Sequence, residues 1–174
     1  MILWPELVDA VGDSAPVLAA GGVGSGRQIA AAIALGTQGV WMGTYWLTAA
    51  EYQLGKAAGA AGPSTVQQAL LKATSRDTVR RRIYSGKPAR LLKTRWTDAW
   101  DADNAPEPLP MPLQNLLVAQ AHARISQADN PDVVAMPAGQ IVGRCNDIVP
   151  VADMIAGMVA EYEEAVKRLG STLG

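Results

Sequence analysis

The segment PVLAAGGVGSGRQIAAAIALGTQGVWMGT, residues 16–44, constrains the fold more than any other part of the chain. Pro16 to Ala20 is short and continuously apolar, the pattern of a strand buried on both faces in a parallel sheet. Gly21 to Gly26 make a turn and Arg27 to Leu35 an alanine-rich helix. Gly36 stands where a left-handed cap closes such a helix. Gly39 to Met42 is a second apolar strand. A strand, a crossover helix and a strand in about 30 residues form a βαβ unit, which is right-handed by rule.

The rest of the chain adds elements around that unit. Pro5 suits a first helical turn, and Leu3, Leu7, Val8 and Val11 share one face up to Gly12. Thr48-Ala49-Ala50-Glu51 has the capping-box spacing, which predicts a helix from Ala49. GKAAGAAGPST interrupts the pattern. Ser64 or Thr65 then caps a short helix through Val66, Ala69, Leu70 and Ala73. DTVRRRIYSGKPARLLK reads as a hairpin around Ser85-Gly86-Lys87. Asp98 to Pro112, with four prolines, reads as an ordered loop or linker. Leu113 to Ile125 is a helix with Leu113, Leu116, Leu117 and Ile125 as its apolar stripe. From Pro150 to Gly170, Val151, Met154, Ile155, Met158, Val159, Tyr162, Val166 and Leu169 recur at helical spacing. No internal repeat is visible.

Composition narrows the classes of function. The 174 residues are enough for one domain with a sizeable core. A net charge of −1 argues against general nucleic-acid binding. The single cysteine, Cys145, excludes an internal disulfide and fits a reducing compartment. With one histidine besides, no zinc cluster is expected. No apolar run reaches the roughly 18 residues of a spanning helix. MILWPELVDAVGD has no basic region ahead of its apolar residues, so it does not read as a signal peptide. A cytoplasmic protein is expected, with no nucleic-acid or membrane partner.

The two glycine turns are the candidate site. Small residues between strand and helix let main-chain N–H groups approach an anion, and a helix amino end adds partial positive charge. A G-x-G-x-x-G fingerprint fails, because the sixth position is Arg27 or Ile29 according to the starting glycine. A P-loop matches at Gly21 and Gly26, but Arg27 and Gln28 replace its lysine and hydroxyl residue. A third reading uses both turns. In (β/α)8 barrels a phosphate commonly sits between the loops after strands seven and eight. Gly22 and Gly43 each follow a strand at the same end of a parallel pair, and Thr44 adds a hydroxyl. One such glycine reads as a tight turn; two with a threonine favour phosphate.

LAAGGVGSGRQIAAAIALGTQGVWMGT resembles the last two barrel units of the nitronate monooxygenases, once called 2-nitropropane dioxygenases. The related flavin enoyl-acyl-carrier-protein reductases share much of the pattern. The likeness continues through DTVRRRIYSGKPARLLKTRW and GQIVGRCNDIVPVADMI. It implies an α/β fold: a partial TIM (β/α)8 barrel of the last two β/α units, a mainly helical insert and a C-terminal helix. The division it implies is 1–54 for the barrel part, 55–135 for the substrate-type insert and 136–174 for a return loop and terminal helix. The implied cofactor is FMN, contacted mainly at its phosphate by Gly22 and the run Trp41, Met42, Gly43, Thr44, with Gly21 shaping the turn. The implied reaction is oxidation of an alkyl nitronate with dioxygen; a non-catalytic fragment or a reductase-like enzyme is the alternative.

Departures from the family pattern are visible. The family often has glutamine where Trp41 stands and aspartate near Ser25. Its barrel is about twice this length, and the strands and catalytic histidine of its amino-terminal part have no counterpart here. No catalytic residue is therefore assigned to this chain, and a missing N-terminal half or a homo-oligomer is the expected partner.

The remaining reactive residues have plainer readings. His122, in AQAHARI, is expected on the surface or lightly packed, and Cys145 is expected to be an inert thiol. Arg80, Arg81, Arg82, Lys87, Arg90, Lys93 and Arg95 would be divided between two hairpin faces, and Arg90 is the one to test against an acidic substrate. Trp41, Trp46, Trp96 and Trp100 are expected to be packing residues. Gln140 and Gly143 resemble a loop close to the family's active site.

Overall fold

The computed structural model describes residues 1–52 and 61–172. Helix α1 (Leu3–Val11) leads to β1 (Leu18–Ala20), α2 (Gly26–Ala34) and β2 (Gly39–Trp41). β1 and β2 pair in parallel, with Leu18 opposite Gly39, Ala19 opposite Val40 and Ala20 opposite Trp41. Gly36 has φ +92°, the left-handed conformation expected of it. The βαβ unit is therefore present as read.

The strands are less buried than their composition suggests. Only Ala19 of β1 is enclosed, while Leu18 is 48% and Trp41 70% exposed. Alternation explains this: Ala19 points to the covered face of the pair, and Leu18, Ala20 and Trp41 point to the other, open face. Trp41 is thus not a packing residue within this chain.

No helix starts at Ala49. A 3-10 turn (Thr44–Thr48) ends there, Ala49 is extended, and its neighbour's N–H, from Ala50, donates to Val149 O. Glu51, the acid of the supposed capping box, instead accepts from the Val151 N–H at 3.0 Å. It caps another helix, 100 residues on. Gln53 onward to residue 60, including much of GKAAGAAGPST and the 54/55 boundary, lies outside the described residues.

Helix α3 (Thr65–Lys72) has Ser64 as its cap, and β3 (Thr78–Arg81) and β4 (Ala89–Leu92) form the expected antiparallel hairpin. The segment 136–138 lies along β4: Leu92 N–H donates to Met136 O and Ala138 N–H to Arg90 O. Leu70, Leu92, Val134, Met136 and Val142 form the main apolar core, with Leu47 and Tyr52 packed against it.

Two sequence expectations change in the second half. Helix α4 (Arg95–Trp100) takes the first residues of the supposed 98–112 linker, its first turn held by Thr94 N–H donating to Thr97 Oγ1. Helix α5 (Leu113–Gln127) turns the opposite way from its apolar stripe. Leu113, Leu116 and Leu117 are exposed, whereas Gln114 and Val118 are buried. Gln114 decides the orientation, because its amide satisfies Leu109 N–H and Ile83 O, both at 2.9 Å.

Helix α6 (Val151–Gly170) runs back across α2. The approach is close: a Cβ on Gly26 would overlap the Met158 carbonyl oxygen and the Tyr162 nitrogen. Met154, Met158 and Ala165 are buried in α6, whereas Ile155, Val159, Val166 and Leu169 remain exposed. Among the described residues no helix is long and apolar enough to cross a membrane.

Candidate functional site at the two glycine turns

The parallel register fixes where the turns stand. Ala20 and Trp41 are paired, so Gly22 and Gly43 each lie two residues past level positions, at the same end of the sheet. The turns also touch. A Cβ on Gly24 would stand 3.4 Å from the Tyr45 ring, directly after the second turn. The loop of residues 139–145 crosses both: Gly139 N–H donates to Thr44 Oγ1 at 2.9 Å, and the Ile141 side chain fills the space beside Gly24.

Gly21 and Gly22 have φ of +99° and +72°, where a side chain is strained. Gly43, at φ −120°, has no such need. At all three positions a Cβ would meet nothing within 4 Å. The surface over both turns is therefore bare main chain. Among the described residues, neither the Gly22 nor the Gly43 N–H donates to any acceptor. Two unpartnered donors beside open space fit an anion supplied from outside.

The amino end of α2 is not part of that opening, because the protein caps it. Gly26 N–H donates to Glu161 Oε2 at 2.9 Å, and Ser25 Oγ accepts from Gln28 N–H. Arg144 approaches the other Glu161 oxygen at 3.5 Å. An anion over the turns would meet loop amides rather than this helix end.

The other residues singled out from sequence are distributed as follows. Gln140 and Gly143 lie in the 3-10 turn Gln140–Arg144, on the loop that crosses the glycine turns, with Gly143 packed close to Ser75. Met42 and Trp46 line an apolar cleft of about 430 Å³ with Ile29, Ile33, Ile155 and Tyr162. Arg90 donates to Thr78 Oγ1 at 3.2 Å within the hairpin. Cys145 is buried, and burial pushes its thiol pKa up, as suits an inert thiol. His122 is more enclosed than a surface residue. It stacks on Tyr84 at 4.9 Å, meets Trp96 edge-on and has a buried Nε2 without a partner. Burial lowers its pKa. Among the described residues no three His, Cys, Asp or Glu side chains are grouped to hold a metal.

Sequence reasoning passed over Gln28 and Glu161, the two side chains that organise the first turn. Ser25-Gly26-Arg27-Gln28 does carry the S-x-x-Q capping signature, which was the available signal.

Comparison with known proteins identifies the family. The nitronate monooxygenase family profile matches residues 1–161. A Mycobacterium tuberculosis protein described as a monooxygenase, Rv1533, is 45% identical over 97% of this chain and 44% of its own length. A Bacillus subtilis protein described as a nitronate monooxygenase is 31% identical over 92% of the chain and 43% of its own. Among solved structures, nitroalkane oxidase from Streptomyces ansochromogenes superposes with a TM-score of 0.79 at 27% identity, covering 97% of this chain and 44% of that one. FabK from Thermotoga maritima gives 0.72 at 29% identity, covering 98% and 51%. The chain spans about half the length of these relatives. It belongs to the nitronate monooxygenase family.

Proposed function

We propose that this chain is the FMN-phosphate-binding half of a nitronate-oxidising flavoprotein. The observation that carries the reading is the pair of N–H groups at Gly22 and Gly43 that have no acceptor among the described residues, at level positions of a parallel register, with open space where a Cβ would stand on each. Gly22 and Gly43 would donate to the phosphate, and Gly21 would hold the turn open. Thr44, already fixed by the Gly139 N–H, would present its hydroxyl at the same edge. Trp41 and Met42 would border the cofactor where the second strand ends.

The redox chemistry is the flavin's when bound: electrons leave an alkyl nitronate and pass to dioxygen. The chain's own part is binding and orientation. Its one histidine, His122, packs against Tyr84 and Trp96, and Glu161 at the first turn is engaged by the Gly26 N–H, so neither is assigned the role of base. The base belongs to the complementary half in this reading. A cytoplasmic setting is part of the same proposal.

A second reading makes the chain a non-catalytic part that works only with a partner half. The open face of Leu18, Ala20 and Trp41 favours it. In a closed (β/α)8 barrel that face is the interior, filled by side chains from the other strands.

The test exploits the difference between the two glycines. Gly22→Asp combines charge with backbone strain, but Gly43→Asp adds charge at an ordinary φ with room for a side chain. Gly43→Asp should weaken FMN binding roughly a hundredfold, by placing a carboxylate against the phosphate, while Gly43→Asn loses much less. Flavin fluorescence titration reads both. Equal affinity in the Asp and Asn variants would remove the phosphate from Gly43.

A further inference from the structure

We propose that Gln28 is the positioning residue that sets the phosphate turn, a role that rests on the phosphate reading above. The chain contains two S-x-x-Q motifs, and they behave differently. At Ser64 to Gln67, the Gln67 Oε1 accepts from the N–H of the cap residue itself, Ser64, at 2.9 Å. That is the ordinary reciprocal cap. At Ser25 to Gln28 the side chain reaches one residue further back. Its Oε1 accepts from the Gly24 N–H at 2.9 Å and from Ser25 Oγ at 3.1 Å.

Its other end reaches further still. Gln28 Nε2 donates to the Gly22 carbonyl oxygen at 2.7 Å. A backbone N–H can only donate and a carbonyl can only accept, so the amide's orientation is fixed by its two partners. One side chain therefore spans the turn from Gly22 to Gly24 and anchors it to the first turn of α2.

The consequence concerns direction. Gly21 and Gly22 both have positive φ, and glycine pairs of that kind have a wide choice of conformations. Anchoring the Gly22 carbonyl on the Gln28 amide removes most of that choice, while the Gly22 N–H keeps no acceptor among the described residues. The shifted cap also leaves the Ser25 N–H outside the glutamine's bonds, and no acceptor among the described residues takes it. The donor set offered at the turn is thus chosen by Gln28, without Gln28 touching the anion.

FMN and riboflavin differ only in the phosphate, so their affinity ratio isolates the turn from general stability. Titrations of the full chain with both ligands would compare the native protein with Gln28→Ala and Gln28→Leu; the second fills more of the lost volume should the first fold poorly. Gln67→Ala serves as the control that loses a cap elsewhere. The expected result is a roughly tenfold fall in FMN affinity for the Gln28 variants, with riboflavin affinity kept within about twofold. Gln67→Ala should keep the native ratio. Gln28 variants that retain the native FMN-to-riboflavin ratio would overturn the positioning role alone. A native chain that binds the two ligands equally would end the phosphate reading, and this inference with it.

Discussion

Gly26 shows how a single hydrogen atom in place of a methyl group can decide a helix contact. In an exposed helix, replacing glycine by alanine is favourable by about 1 kcal/mol. At Gly26 the added Cβ would overlap main-chain atoms of Met158 and Tyr162, which cannot rotate away. The cost of forcing α2 and α6 apart, about 3 kcal/mol on the scale of overpacked cores, outweighs the propensity gain. Gly26→Ala should therefore lower the thermal midpoint by roughly 4–8 °C, measured by circular dichroism. An unchanged midpoint would mean that α6 does not sit where its contacts place it. The same contact explains why Glu161 can reach the Gly26 N–H at all.

At the scale of elements, α5 is joined to the hairpin and α4 through His122, stacked on Tyr84 and edge-on to Trp96. Burial lowers the pKa of this imidazole in the folded state, so the unfolded chain takes up its proton first, near pH 6.5. The His122 contribution is intact above that value. Stability then falls as the pH drops from about 6.5 through the lowered folded value. His122→Phe keeps the stacking and removes the titration. Denaturant unfolding between pH 7.5 and 5 should show a shallower loss for the Phe variant; equal slopes would rule out His122 as the source.

What the sequence revealed about elements follows the range of the forces involved. The βαβ unit, the hairpin and α6 were legible because strand runs, glycine caps and helical periodicity act within a few residues. The Thr48–Glu51 capping pattern misled because Glu51 has a better use, at Val151. The face of α5 was inverted because the value of burying Gln114 depends on Ile83 and Leu109, which no periodicity reports. The candidate site divides in the same way. Gly21, Gly22, Gly43 and Thr44 could be picked out as turn chemistry. Gln28 could not, since its motif reads as an ordinary cap until Gly22 O is seen beside it.

For the molecule as a whole, the balance of covered and open surface matters most. The main core, around Leu70 and Leu92, is closed within the chain. The parallel pair is not: both outer strand edges are free among the described residues, and Leu18, Trp41, Ile155 and Val159 are exposed. Unpaired edges beside apolar surface invite another strand. The isolated chain should therefore self-associate at micromolar concentration, and Trp41→Lys should shift it toward monomer. Light scattering coupled to size exclusion measures this. A monomer that persists to about 100 micromolar would show that the open face is tolerated and would weaken the case for a partner half.

The bond from Glu161 back to Gly26 closes a separation of 135 residues. Helix α6 thus seals a unit that lies far from it along the chain, and the intervening segment must loop out before the Gly26 amide meets its acceptor. Closure over such a span is slow compared with local helix and hairpin formation. The amino end of α2 is completed by a carboxylate that its own neighbourhood does not contain.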